Sequence, residues 1–250
     1  MTEPDSTTSD TDRPNTRQAL LDAAEALFSD RGYEAVGIRE IVDRAGANLA
    51  AIKYHFGSKG DLYNETIRHV LERSRKEGNI WDVLDGPNQT PLDAARALGR
   101  FIGLHGLSVF SGGASSVVAR LFLLEATWPR EAFDEVIEEH FKPCIIKIEK
   151  VIRTINSKID DSEATTLTHS VMAPMAYQRF YRRIIDSTDS GRQPIHGHAI
   201  EIAATIASFV VRGVGGDDEL AEAARVASTE AIYSTIQLSG DAPETENTTA

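Results

Sequence analysis

Hydrophobic residues recur at intervals of three and four positions along nearly the whole chain, and this spacing predicts helices. In the first such segment, residues 17–30, one apolar stripe comprises Leu20, Ala23, Ala24, Leu27 and Phe28. Alternation with a period of two, which would indicate strands, is almost absent. Glycine-containing turns separate the segments, and there is no internal repeat of fixed period. The pattern therefore predicts an all-α fold that is not a solenoid.

Two very short helices are predicted after the first one, at about residues 38–44 and 48–55, with Gly46 in the turn between them. Asn48 is a suitable N-cap for the second short helix. Ser58 and Asp61 have the spacing of a capping box that opens a fourth, longer helix, which runs to about residue 77. Two short helices joined by a tight turn and braced by longer helices are typical of a helix-turn-helix, whose second helix enters the major groove of DNA.

The distribution of charge supports a DNA-facing surface in this region, although the chain as a whole carries a formal charge of −12. No carboxylate occurs between Asp43 and Asp61, and residues 13–77 hold 11 basic and 10 acidic residues. The excess acid lies in the first twelve residues and after residue 77. A surface that faces phosphates has to exclude carboxylates. The outward face of the second short helix offers Asn48, Leu49, Ala51, Lys53 and Tyr54.

The composition is that of a globular chain rather than of a disordered or membrane protein. The chain has 250 residues, of which 41% are hydrophobic and 26% are charged. No apolar run approaches the length of a membrane span, so no membrane partner is expected. The N-terminus lacks the basic start and apolar stretch of a signal peptide, and the single Cys144 can form no internal disulfide. These features predict a cytoplasmic protein.

Residues 16–67 resemble the TetR family of transcriptional regulators. The matching motifs are Ala23-Ala24 with Leu27-Phe28, Arg31-Gly32-Tyr33, Ile38-Arg39-Glu40-Ile41, Ala45-Gly46 and Tyr54-His55-Phe56-Gly57-Ser58-Lys59. The sequence departs from the family at Gly37, where Thr or Ser is common, and at Lys53, where Tyr is common. The resemblance implies an all-helical homodimer with an N-terminal three-helix helix-turn-helix domain. It also implies a C-terminal helical bundle that pairs with its copy and often encloses an inducer pocket.

A weaker resemblance extends into the second part of the chain. Residues 121–141 and 177–181 are similar to the C-terminal domain of a TetR subgroup of the CerR/CecR type. The predicted organisation is a disordered arm at 1–14, a helix-turn-helix domain at 15–62, a helical ligand-binding and dimerisation domain at 63–239, and a disordered tail at 240–250.

The resemblance and the residue chemistry together select the candidate DNA contacts. Tyr54 and Lys59 are expected at phosphates, and Lys53 at a phosphate or a guanine. Asn48 lies at the front of the recognition helix, where an asparagine can read adenine, but the sequence assigns it no individual base contact. His55 is expected to pack or to lie beside a phosphate, whereas Arg17 and Arg39 either reach the DNA backbone or are ordinary surface charges. The complete candidate set is Arg17, Arg39, Asn48, Leu49, Ala51, Lys53, Tyr54, His55 and Lys59.

Aromatic and polar residues of the C-terminal part are either core or the lining of an effector pocket, and the sequence leaves both interpretations open. The candidate ligand contacts are Phe101, His105, Phe122, Trp128, Tyr177, Gln178 and Tyr181. His196 and His198 do not have the spacing of a metal site, and we expect neither a metal nor a cofactor. Cys144 is interpreted as a small core residue rather than a redox sensor.

Three segments are candidates for self-association, because their apolar faces are broad. Residues 195–212 are apolar around more than half of the helix circumference, which favours burial on two sides. Residues 163–183 are the second candidate, and the final helix at 218–237 covers the bundle or extends the interface.

The sequence therefore predicts a ligand-responsive, homodimeric transcriptional repressor that binds a near-palindromic double-stranded DNA operator and an unidentified small-molecule effector. The alternative is a protein-interaction module of the same fold without operator binding. No nucleophile–base pair, phosphate loop or metal quartet supports an enzyme.

Overall fold

The computed structural model describes residues 16–78, 80–110, 117–118, 120–121, 124–125, 131–180, 187 and 199–239. Helices and their connecting turns account for this described part, as the hydrophobic spacing predicts, and the all-α fold class is confirmed. The predicted arm at 1–14 and tail at 240–250 lie outside the described residues.

The first four helices are α1 (Thr16–Ala35), α2 (Ile38–Ala45), α3 (Leu49–His55) and α4 (Lys59–Gly78). A 3₁₀ turn (Ile80–Leu84) then leads to α5 (Pro91–Phe110), and α6 (Glu131–Val136) continues through a π-helical turn (Ile137–Phe141) into α7 (Lys142–Ile155). The remaining described helices are α8 (Asp161–Phe180), α9 (Ala199–Gly213) and α10 (Asp218–Ser239).

The chain divides into two compact units, the first comprising Met1–Arg73 with Val117–Val136 and the second comprising Ser74–Ser116 with Ile137–Ala250. In the first unit, α1 contacts both α2 and α3. Leu20, Ala24 and Phe28 of the predicted α1 stripe are completely buried. Gly32 interrupts α1 with φ +76°, a left-handed value that favours glycine, so the helix changes direction where the sequence predicts a stop.

The second unit is built around α5, which packs closely on α10. Gly99 and Gly103 make this approach possible. A Cβ atom on Gly99 would lie 2.2 Å from the carbonyl oxygen of Ala224, and one on Gly103 would lie 2.5 Å from that of Ser228. Helices α7, α8 and α9 enclose the rest of the core, in which Phe101 is completely buried. Within the described ranges, no helix combines the length and apolar character needed to cross a membrane.

Candidate nucleic-acid interface

The turn between α2 and α3 is set by Gly46, which has φ +63° and ends α2. Its backbone N–H donates to the carbonyl oxygen of Asp43 at 3.3 Å, and the N–H of Ala47 donates to that of Val42 at 2.9 Å. These bonds satisfy carbonyl groups in the last turn of α2, which have no N–H partner within the helix itself. Ile41 and Val42 anchor α2 in the core of the first unit. The turn therefore fixes the direction in which α3 begins.

Helix α3 presents one apolar residue to the core and most of its surface outward. Asn48 caps the helix as predicted, because its side-chain Oδ1 accepts a hydrogen bond from the N–H of Ala51 at 3.0 Å. Ile52 is 3% exposed, whereas Leu49 is 50% exposed and Tyr54 is 85% exposed. Such exposure is unusual for an aromatic side chain, and it leaves the phenol of Tyr54 accessible to a partner.

The outward side of α3 carries cationic and small side chains. Lys53 is exposed, and so is Arg39 on α2. Across the described ranges, neither side chain forms an ion pair with a carboxylate. Ala51 and His55 are partly buried on the other flank, where the His55 ring lies 4.9 Å from that of Tyr54 and 6.2 Å from that of Phe56. The candidates Asn48, Leu49, Lys53 and Tyr54 thus form an exposed ridge on α3, whereas Ala51 and His55 are partly buried beside it.

The start of α4 lies immediately after this ridge. Gly57 has φ +88°, and Ser58 Oγ accepts from the N–H of Asp61 at 3.1 Å while donating to the Asp61 carboxylate at 2.6 Å. The predicted pairing of Ser58 and Asp61 is therefore present. Lys59 Nζ lies 4.1 Å from the centroid of the Tyr33 ring, a cation–π contact that holds the first residue of α4 against the end of α1.

Arg17 has intramolecular partners on two sides. Its Nη2 donates to Glu65 Oε1 at 2.6 Å, and its guanidinium carbon lies 5.3 Å from the centroid of the Phe56 ring. The contacts connect α1 with α4 and with the residue that follows α3. In this arrangement Arg17 supports the position of α3, and its side chain is 41% exposed.

Of the candidate ligand contacts in the second unit, the structure brings Phe101 and His105 together. The two rings stack with their centroids 5.7 Å apart, and the tilted ring of Trp81 has its centroid 4.7 Å from that of Phe101. Burial lowers the pKa of the His105 imidazole to about 4, so the ring is neutral at pH 7. Its Nδ1 is buried without a hydrogen-bond partner among the described residues.

Among the remaining ligand candidates, Tyr177 is described together with its side chain. Tyr177 on α8 is 51% exposed, and Gln178 follows it on the same helix. Phe122, Trp128 and Tyr181 lie outside the described residues. Sequence reasoning missed Trp81, and its only signal was an isolated aromatic residue next to a predicted turn.

Cys144 and the histidines offer no metal or redox centre in the part of the chain that is described. No group of three His, Cys, Asp or Glu side chains is placed to hold a metal ion there. Burial raises the pKa of the Cys144 thiol to about 11, an effect that outweighs the nearby charge of Lys147. A thiol with so high a pKa is a poor nucleophile at neutral pH.

Helices α9 and α10 form a face of the second unit on which two large aromatic side chains are exposed. Phe209 is 66% exposed and Tyr233 is 51% exposed. A groove between the two helices is lined by Ile200, Glu201, Ala204, Thr205, Arg225, Thr229 and Tyr233. This face includes residues of two segments that the sequence selects as candidates for self-association.

These elements define a helix-turn-helix protein with a second, helical unit. The family model for bacterial regulatory proteins of the tetR family matches residues 20–66. A second model, for the C-terminal domain of the HTH-type transcriptional dual regulator CecR, matches residues 94–216. The chain belongs to the TetR family of transcriptional regulators, and both resemblances stated from the sequence are confirmed.

Curated relatives are similar over part of the chain. The transcriptional activator FasR of Mycolicibacterium smegmatis is 48% identical over 59 residues, which is 23% of this chain and 27% of FasR. The transcriptional repressor AcnR of Corynebacterium glutamicum is 31% identical over 84 residues, or 32% of this chain and 45% of AcnR. The matches thus span less than half of the length of these relatives.

Solved structures share the fold over most of the chain. A gamma-butyrolactone receptor, described as an ArpA-like protein, superposes with a TM-score of 0.57 at 21% identity, covering 88% of this chain and 97% of the receptor. AibR, solved with isovaleryl coenzyme A and operator DNA, has a TM-score of 0.57 at 19% identity, covering 78% of this chain and 97% of AibR.

Proposed function

We propose that this protein is a ligand-responsive transcriptional repressor that acts as a homodimer on a near-palindromic operator. The observation that carries the proposal is the exposed surface of α3, which presents Leu49, Lys53 and Tyr54 on a ridge without carboxylates. In a protein with a formal charge of −12, a surface without carboxylates is expected where an anionic partner binds.

In the proposed complex, α3 enters the major groove and the residues around it fix its register. A two-fold dimer would place two copies of α3 roughly 34–36 Å apart, in successive major grooves on one side of the duplex. Tyr54, Lys59 and Arg39 are proposed to contact phosphates, which position a protein on DNA but carry no sequence information. The affinity of such a complex falls steeply as the salt concentration rises.

The proposed dimer interface is the face formed by α9 and α10. A large aromatic side chain such as Phe209, two-thirds exposed, is stabilised when a second copy covers it. A two-fold interface uses the same patch on both copies, so α9 and α10 would meet α9 and α10 of the partner. Replacing Phe209 by Glu is expected to shift the sedimentation of the protein towards the monomer.

The proposed effector binds in the second unit, near the cluster of Trp81, Phe101 and His105. Fold relatives support a small-molecule ligand, because AibR was solved with isovaleryl coenzyme A and a regulator from Saccharomonospora viridis with choline. An effector releases the operator only if it binds the DNA-free conformation more tightly than the DNA-bound one.

Selection of bound genomic fragments followed by a gel shift tests the proposal. The expected result is enrichment of a few fragments that contain an inverted repeat, including the region upstream of the protein's own gene. The alternative, an interaction module of the same fold, predicts no enrichment over a random fragment. Deletion of the gene for this protein then distinguishes a repressor from an activator. The transcript level of the adjacent gene rises if the protein is a repressor and falls if it is an activator.

A further inference from the structure

We propose that α3 reads its half-site through two side chains, Leu49 against a thymine methyl group and Lys53 on a guanine, and that Asn48 is a positioning residue. This inference rests on the proposed DNA-binding function and adds the chemistry of the bases that are read. It also decides between the two roles open to Asn48, capping α3 and reading an adenine.

The hydrogen bond of Asn48 decides its role. Reading an adenine with both ends of an amide requires Oδ1 to accept from the base N6 group while Nδ2 donates to N7. In the structure, Oδ1 already accepts from the N–H of Ala51 at 3.0 Å. Turning the amide towards a base would remove the N-cap of a helix only seven residues long and so destabilise its first turn. Asn48 therefore serves α3 by fixing its first turn.

Leu49 is the apolar group that α3 offers to a base edge. It is 50% exposed, and the neighbouring Ala50 is also exposed. The residue that holds α3 to the core is instead Ile52, which is 3% exposed. The thymine methyl is the apolar group in the major groove, and an exposed leucine has no hydrogen-bonding alternative there. Ala50 adds no atoms beyond Cβ, so it allows the helix to approach the bases closely.

Lys53 lies one helical turn after Leu49 on the same flank of α3, since residues four apart are neighbours on a helix. Its ammonium group has donors and no acceptor, which matches the two acceptors, O6 and N7, of guanine. In the described coordinates no carboxylate pairs with Lys53, so its charge is available to a base. Four residues rise about 6 Å along a helix, which places the guanine within about two base pairs of the thymine.

The test uses a duplex chosen by selection and compares single-atom changes in the DNA with single changes in the protein. Each thymine is replaced in turn by deoxyuridine, which lacks only the methyl group, and each guanine by 7-deazaguanine, which lacks the N7 acceptor. Affinities are measured for the wild-type protein, Leu49→Ala and Lys53→Ala, with circular dichroism as the check on folding. These pairs form double-mutant cycles between protein and DNA.

We expect one deoxyuridine position per half-site to weaken wild-type binding about three- to fivefold and to have no effect on Leu49→Ala. We expect one 7-deazaguanine position, within two base pairs, to weaken wild-type binding about tenfold and to have no effect on Lys53→Ala. A deoxyuridine penalty that persists in Leu49→Ala, or the absence of any such penalty, would overturn the assignment of Leu49. Likewise, a 7-deazaguanine penalty that persists in Lys53→Ala, or the absence of any such penalty, would overturn the assignment of Lys53.

Two variants separate positioning from reading at Asn48. Asn48→Ser keeps a good N-cap but has no amide, and we expect it to retain the base preference of the wild type at every adenine. Asn48→Ala loses the cap, and we expect it to lose affinity by a similar factor for all sequences. A relaxed adenine preference in Asn48→Ser would overturn the positioning role. Failure of the wild type to select any DNA would instead contradict the proposed function itself.

Discussion

Lys59 and Tyr33 form a cation–π pair in which Nζ lies 4.1 Å from the ring centroid. Tyr33 in turn packs edge-on against the buried Tyr63, with their centroids 5.3 Å apart, and Tyr63 packs on Phe28 at 4.8 Å. This chain of contacts ties the ammonium group at the start of α4 to the core of the first unit. A cation that is already oriented loses less side-chain entropy when it meets a phosphate.

The first prediction concerns the charge of Lys59. Lys59→Met keeps an aliphatic side chain on the Tyr33 ring but removes the cation, so operator affinity is expected to fall uniformly across sequences. The slope of log affinity against log salt concentration should decrease in magnitude by about 1 for each lost phosphate contact. Fluorescence anisotropy titrations over a salt series measure both quantities. Lys150→Met, at an exposed position of α7, is the matched control, and an unchanged slope in Lys59→Met would show that Lys59 meets no phosphate.

The second prediction concerns the missing cap of α2. Gly37 is the N-cap residue, with φ −89° and ψ 146° and no side-chain hydrogen bond to the helix. A Cβ atom at Gly37 would meet nothing within 4 Å. Gly37→Ser is therefore expected to raise the free energy of unfolding by a few tenths of a kcal/mol.

Urea unfolding measures this gain, and Gly46→Ser provides the contrast. Gly46 also has free space around its Cβ position, but its φ of +63° is left-handed. Gly46→Ser should therefore lower stability by about 1 kcal/mol. A destabilised Gly37→Ser protein would mean that the N-terminus of α2 differs from the structure described.

The third prediction tests the close packing of α5 on α10. Gly99→Ala would place a methyl group 2.2 Å from the backbone carbonyl oxygen of Ala224, and backbone cannot move aside as cheaply as a side chain. The expected loss of stability is about 3 kcal/mol, at the upper end for an overpacked core. Thermal and urea unfolding measure it.

Gly213→Ala is the control, because nothing lies within 4 Å of its Cβ position at the end of α9. This change should be neutral or should stabilise the protein by up to about 1 kcal/mol, since alanine favours helices. Equal effects of the two substitutions would contradict the helix contact.

The fourth prediction is a pH dependence due to His105. Its pKa is about 4 in the folded protein against 6.5 for an unperturbed histidine, because the ring is buried. Between these values the unfolded state binds the proton and the folded state does not, so stability falls as the pH drops from 6.5 towards 4. Above pH 6.5 the group adds no pH dependence.

His105 is expected to lower the free energy of unfolding by about 2 kcal/mol when the pH falls from 7.5 to 5, and this contribution should be absent in His105→Gln. The carboxylates titrate in both proteins, so the difference between their pH profiles isolates the histidine. NMR titration of the imidazole provides an independent measurement. An imidazole that titrates near its ordinary pKa would contradict the burial of the ring.

The sequence predicted those features that depend on local chemistry. The cap at Asn48, the turn at Gly46 and the start of α4 at Ser58 each arise from the conformational or hydrogen-bonding properties of one residue, and all three are present. The sequence left Arg17 open between a DNA contact and a surface charge. Its partner Glu65 lies 48 positions away, and no helical period relates the two.

Other features could not be predicted because they arise only from tertiary packing. The contact between the tilted rings of Trp81 and Phe101 joins a 3₁₀ turn to α5, and the π-helical turn Ile137–Phe141 has no signature in the hydrophobic spacing. The hydrogen bond that Asn48 Oδ1 accepts from Ala51 is local. Which residues of α3 are left to read bases is evident only when the exposure of Leu49 and Ile52 is compared.

Binding of duplex DNA by the exposed ridge of α3 is decided by an equilibrium titration. The selected operator is titrated with the wild type, Tyr54→Ala, Tyr54→Phe and the control Lys150→Ala, each with an unchanged circular dichroism spectrum. We expect Tyr54→Ala to weaken binding at least tenfold, Tyr54→Phe to weaken it less, and Lys150→Ala to match the wild type. Equal affinities for Tyr54→Ala and the wild type would contradict DNA binding by this ridge.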